Sequence, residues 1–158
     1  MKQTVIVMCG LPACGKSTLA EKISNIFLQA NIEDGVAIVS SDRIRKQLYG
    51  KEETQGNPKE VFAKVYSKVA DTLALGYKRV IIDSTAITKK DRKRIFDNLS
   101  NLNVDFVCVY FPVDIDKSIK QNKMRARHVP EDVIYRMADK FQAPTIEEGF
   151  RAVFLVKE

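Results

Sequence analysis

Apolar positions along the chain follow two different periods. Short runs rich in valine and isoleucine occur at Thr4–Cys9, Val36–Ser40, Arg79–Asp83, Val104–Phe111 and Ala152–Val156, and these predict strands. Between them the apolar residues recur at helical spacing. Lys16 to about Ala30 carries Leu19, Ile23, Ile26 and Phe27 on one face. Val61, Phe62, Val65, Val69 and Leu73 form a second stripe, read as core packing and nothing more. Asn57-Pro58 predicts the capped start of that helix, with proline at its first position, and Gly76 is a plausible stop. Thr88-Lys89-Lys90-Asp91 opens a helix that uses Ile95 and Leu99. Val129-Pro130-Glu131 opens a last one, with Val133, Met137 and Phe141 facing inward.

Strands alternating with helices predict an α/β fold, a five-stranded parallel sheet with right-handed crossovers between two helical layers. Ligands in such sheets bind beyond the carboxyl ends of the strands. The expectation is one domain over residues 1–158, with Tyr49–Asn57, which contains Gly50 and Gly56, as its mobile loop.

Composition narrows the setting. With 45% hydrophobic and 29% charged residues the chain reads as an ordinary globular domain. No apolar run approaches the ~20 residues of a membrane span, and the amino terminus is too short and too quickly glycine-containing for a signal peptide. Cys9, Cys14 and Cys108 show no paired spacing, which suggests neither a disulfide framework nor a zinc site and points to a reducing cytoplasm. The net charge of +6 favours polyanionic partners, or else marks a solvated lysine-rich surface. The basic residues cluster in Lys89–Arg94 and in Lys120–His128.

The segment Gly10-Leu11-Pro12-Ala13-Cys14-Gly15-Lys16-Ser17 fits G-x-x-x-x-G-K-[ST] at every fixed position, with a predicted strand before it and a helix after it. Glycines let successive N–H groups converge on phosphate oxygens at a helix amino terminus, where the macrodipole also favours negative charge. This predicts a three-layer P-loop NTPase of nucleotide-kinase type that binds ATP with magnesium. Residues Gly10 to Ser17 and the adjoining Thr18 would cradle the nucleotide. Lys16 would bridge the β- and γ-phosphates, and Ser17 would place its hydroxyl on the metal. Cys14 lies beside Lys16 at the helix start, a setting that lowers a thiol pKa and would suit a redox switch; a small residue tolerated in a loop is the plainer reading. Asp83 ends an apolar strand and is the candidate second metal ligand, or a loop-fixing cap.

Asp42 follows the second strand, with Arg45 three residues on. One helical turn puts them on a common face, Asp42 as candidate base for an acceptor hydroxyl and Arg45 as candidate acceptor-phosphate ligand. The plainer alternative is a capping aspartate with a surface arginine. Lys120, Lys123, Arg125, Arg127 and His128 are expected between two helices, in a lid at about residues 120–130 whose arginines close over ATP.

Taken together, the phosphate loop, Ser41-Asp42 with Arg45, Ile81-Ile82-Asp83-Ser84-Thr85 with Arg92, Arg125 and Arg127 before Val129-Pro130, Arg136-Met137 and Pro144…Glu148-Gly149-Phe150 resemble the kinase domain of polynucleotide 5′-hydroxyl kinases, within a wider P-loop group that includes zeta-toxin-like kinases. The resemblance runs nearly end to end. It implies transfer of phosphate to the 5′-hydroxyl of an RNA or DNA end, as in nucleic acid repair. The expectation from the sequence is a kinase domain with no aspartate-rich phosphatase segment after it. Asp42 would be the general base, and Arg125 or Arg127 the lid arginine over ATP. Arg45, Thr85 and Arg92 would contact the acceptor. Two positions depart from the family pattern. Ser40-Ser41 stands where Asn-Arg is common, and Ala86 stands where asparagine is common. Kinases of small metabolites or nucleotide sugars, and nucleotide-dependent switches, are the alternatives.

Overall fold

The computed structural model of the protein describes residues 2–29, 35–50, 56–126 and 128–157. The order of elements is β1 (Gln3–Cys9), α1 (Lys16–Gln29), β2 (Val36–Ser40), α2 (Ser41–Tyr49), α3 (Pro58–Ala74), β3 (Arg79–Asp83), α4 (Lys89–Leu99), β4 (Val104–Tyr110), α5 (Ile115–Met124), α6 (Glu131–Lys140), a 3₁₀ turn (Ile146–Glu148) and β5 (Ala152–Leu155). The five strands form one all-parallel sheet in the order β2-β3-β1-β4-β5. All five expected strands are present, within a residue at each end.

The period of two along β1 divides the core. Val5, Val7 and Cys9 face a large cluster with α3 and α4, which supply Val61, Val65, Val69, Leu73, Ile95 and Leu99. Met8 faces the opposite layer, where Ala20, Leu19, Ile23 and Phe27 of α1 pack with Ile81 and Phe111. Local signals set the helix starts. Asn57 accepts a hydrogen bond from the Lys59 N–H at 3.0 Å, with Pro58 beginning α3. Thr88 and Asp91 form a reciprocal capping box on α4.

Two helices were not among the expected elements. α2 starts one residue after β2, with no turn signal between them. α5 is mixed and polar, and its buried residues, Ser118 and Asn122, are themselves polar, so its sequence carries little apolar period. Lys120 and Lys123 therefore lie within α5, not between helices. On α6 the fully buried residue is Ile134, with Val133 and Met137 packed beside it and Phe141 beyond the helix end. Most of the expected mobile loop, residues 51–55, lies outside the described residues. Among the described residues, no helix is long and apolar enough to cross a membrane.

Candidate active site

The register of the sheet assembles the site. Ser40 on β2 is level with Asp83 on β3, so both chains leave the sheet side by side at its carboxyl edge. β1 leads into the phosphate loop between β3 and β4. Backbone geometry there is demanding. A Cβ on Gly10 would lie 2.7 Å from the Cys14 sulfur and 3.2 Å from Phe111 Cβ, so any larger residue there would have to displace the side chains that close the loop. Gly15 adopts φ +109°, a region L side chains rarely enter. The Gly10 N–H donates to the Thr85 carbonyl at 3.0 Å, tying the loop to the segment after β3.

Lys16 is almost fully buried, and its ammonium donates to the carbonyls of Leu11 at 2.7 Å and Gly10 at 3.1 Å. Ser17 donates its hydroxyl to Asp83 Oδ2 at 2.6 Å. The two sequence-predicted metal ligands are thus neighbours, although 66 residues apart in the chain. A hydroxyl and a carboxylate are hard oxygen donors, and magnesium characteristically takes one or two protein oxygens and completes its shell with phosphate and water. The pair fits that ion. Among the described residues no group of three or more His, Cys, Asp or Glu side chains offers an all-protein metal cage.

Across the cleft, α2 presents Asp42 and Arg45. Nη1 of Arg45 donates to Asp42 Oδ1 at 2.8 Å, and to the Ser41 hydroxyl at 3.4 Å. Among the described residues, Arg45 Nε is buried with no hydrogen-bond partner, an uncommon state for a charged donor. The Ser40-Ser41 departure has a local explanation. Ser40 is the N-cap of α2, its hydroxyl accepting from the Arg43 N–H at 3.3 Å, and serine and asparagine cap helices about equally well. Ala86 adopts φ +45°, which is strained for alanine and easier for asparagine. Its carbonyl accepts from Cys9 and from Arg92.

A single cleft of about 680 Å³ joins these parts. It is lined by the phosphate loop through Thr18, by Ser41, Asp42, Arg45 and Phe62, by Asp83 to Thr85, and by Lys117, Gln121 and Arg125. Lys117, Gln121 and Arg125 are spaced four apart on and just past α5, one stripe along the cleft. Lys117 and Phe62 line the cleft without any local sequence signal, Lys117 from a helix of weak apolar period and Phe62 from the edge of an apolar stripe. Arg127 lies outside the described residues.

Arg92 requires correction. It is fully buried, and its guanidinium donates to both oxygens of Glu148 (2.7 and 3.3 Å), to the carbonyls of Ala86 and Gln142 (2.8 Å each) and toward the Cys9 sulfur. It does not line the cleft. It ties the segment after β3 to the chain before β5, and its motif signal was structural. Cys14 is buried in the loop. Burial pushes its thiol pKa up, and the opposing effect of Lys16 is the smaller one. Cys9 moves the other way, lowered mainly by the hydrogen bond from Cys108, with Arg92 nearby.

A phosphate loop facing a strand-end carboxylate, on a sheet of order 2-3-1-4-5, defines a P-loop domain of kinase-type fold. Comparison with known proteins places it further: the family model described as an AAA domain matches residues 5–144, and the chain belongs to that family. It is 27% identical over 141 residues to L-seryl-tRNA(Sec) kinase of Methanococcus maripaludis, covering 89% of this chain and 53% of that protein. It is 29% identical over 156 residues to the bifunctional polynucleotide phosphatase/kinase of Schizosaccharomyces pombe, covering 96% of this chain and 33% of that one. The chain thus spans about half or less of these relatives. Among solved structures, Chaetomium thermophilum Kti12 in complex with ADP-AlF3 superposes with a TM-score of 0.70 at 20% identity, over 96% of this chain and 88% of that one, a likeness of fold.

Proposed function

We propose that the domain transfers the γ-phosphate of ATP to a hydroxyl at the 5′ end of RNA or DNA. The observation that carries the reading is the Asp42–Arg45 pair, 2.8 Å apart on the wall of the cleft that also holds the phosphate loop. A nucleotide switch has no need of a carboxylate and an anion-binding guanidinium there. The names of both curated relatives join a kinase to a nucleic acid, which supports this class of acceptor.

The roles follow from position. The loop N–H groups and Lys16 hold the β- and γ-phosphates. Ser17 and Asp83 would hold magnesium, which when bound neutralises charge on the transferring group. Asp42 orients the acceptor hydroxyl and takes its proton as the new P–O bond forms and the bond to the β-phosphate oxygen breaks, leaving ADP. Arg45 binds an acceptor phosphate through donors other than the one on Asp42. Arg125 stabilises charge spreading over the transferred group. A second recess of about 360 Å³ shares Cys14, Phe111, Lys117 and Val156 with the cleft and is placed to take the adenine.

The test is transfer of labelled γ-phosphate to a panel of 5′-hydroxyl oligonucleotides, seryl-tRNA, nucleosides and sugars. Within it, Asp42→Asn is expected to lower kcat about 10²-fold or more with little change in ATP affinity, whereas Arg45→Ala raises the acceptor KM. Unimpaired kcat in Asp42→Asn removes the base. Preference for a free sugar or serine-bearing acceptor removes the 5′-end reading.

A further inference from the structure

Phe62 is out of place as a core residue. The buried stripe of α3 is Val61, Val65, Val69 and Leu73, which recur at four-residue spacing and complete the packing against the sheet. Phe62 sits one position off that stripe and is only partly buried. One side rests on the core beside Tyr66, with ring centroids 6.2 Å apart, and another lines the cleft. The direction of α3 explains the placement. A crossover helix runs back against its following strand, so the first turns of α3 lie at the carboxyl edge of the sheet.

Besides Phe62, the cleft is lined by the polar Ser41, Asp42, Arg45, Ser84 and Thr85, and by aliphatic side chains that include Val129, Val133 and Met137. Of the described aromatic residues lining the cleft, Phe111 lies against the phosphate loop at Gly10 and Gly15, which leaves Phe62 as the other ring. The wall thus offers a carboxylate, a guanidinium whose buried Nε lacks a partner, and an aromatic ring. A free sugar or sugar acid brings only C–H groups to that ring and no planar π-face. A nucleotide end carries all three complements: a hydroxyl, a phosphate and a planar base.

We infer that Phe62 is a specificity-determining residue that stacks the base of the acceptor's terminal nucleoside, which places the 5′-hydroxyl at Asp42. The inference rests on the nucleic-acid reading of the same site. Base–aromatic stacking tolerates any base, so the site selects for the presence of a base and not its identity.

The experiment compares kcat/KM for a 5′-hydroxyl oligonucleotide with that for the same oligonucleotide carrying an abasic 5′ residue. The expected preference of the wild-type protein for the base-bearing end is about tenfold or more. Phe62→Leu, which keeps apolar volume but loses the ring, is expected to bring that ratio close to one. Phe62→Tyr is expected to retain it. Equal use of both ends by the wild type overturns the inference and leaves the kinase reading standing. So does a Phe62→Leu variant that loses activity on both ends in equal proportion, because that pattern belongs to a packing residue. Transfer to neither oligonucleotide, with transfer to a sugar, overturns the acceptor reading and the inference together.

Discussion

The two walls of the cleft are held in place by different physics. On the side of β3, the segment carrying Asp83 and Thr85 is fixed by Arg92, an entirely buried cation with ionic, carbonyl and thiol partners. It stands over the largest apolar cluster, which includes Val5, Val80, Ile82 and Val65 at 0–1% exposure. On the other side, α5 and α6 share a small satellite core whose buried members are Leu11, Val129 and Ile134. Asn122 pins their connection, donating to the Val129 carbonyl at 2.6 Å and accepting from its N–H at 2.9 Å. Local stability follows buried apolar contact, so the first wall is the rigid one and the second opens at lower cost. On the proposed function, that division would keep Asp83 and Thr85 fixed while the wall bearing Arg125 admits and releases nucleotide. Leu11 links the two, because its side chain belongs to the satellite core and its carbonyl holds Lys16.

The comparison breaks most severely at Arg92. Arg92→Ala removes a fully buried cation and leaves the largely buried Glu148 without its ionic partner, and is expected to lower stability by about 3–5 kcal/mol, read as a large fall in melting temperature. Lys16→Ala is the opposite case, expected to cost about 10²-fold or more in transfer while the protein melts near the wild-type temperature. Wild-type melting in Arg92→Ala would show that the rigid wall is held by something else, and wild-type turnover in Lys16→Ala would sink the kinase reading.

A milder change sharpens the contrast. Asn122→Ala strips both Val129 backbone groups of their partner, at an expected cost of about 1–3 kcal/mol. That cost should be local. Hydrogen exchange is expected to accelerate across residues 115–138 and to stay slow in β1 and β3. Uniform acceleration would mean that the two walls unfold as one unit.

The smallest effect concerns Cys14, at the junction. Because burial raises its pKa, the thiol stays protonated through neutral pH, and the reactive thiolate appears only as pH rises past the ordinary thiol value. Alkylation at pH 7–8, followed by mass mapping, is expected to be slower than for a free cysteine. Equally fast reaction there would contradict the closed loop geometry.

What the sequence determined by itself was local or periodic. The strand runs, the caps at Asn57 and Thr88 and the phosphate loop are each legible within a few residues, because backbone propensity and burial period act at that range. The Asp42–Arg45 spacing was legible as well, one helical turn being enough to make them neighbours. Tertiary structure alone decided which residues meet across the chain. Ser17 reaches Asp83 only because β1 inserts beside β3. Arg92 looks like a site residue in its motif, yet the fold surrounds it with Glu148 and Gln142 from a distant segment. Phe62 looks like core, yet the direction of α3 puts it on the cleft, and Cys14 has every local reason for a lowered pKa until burial outweighs them. A charge, a ring or a thiol takes its role from its surroundings in space, and those surroundings come from strand order and helix direction, which no local window contains.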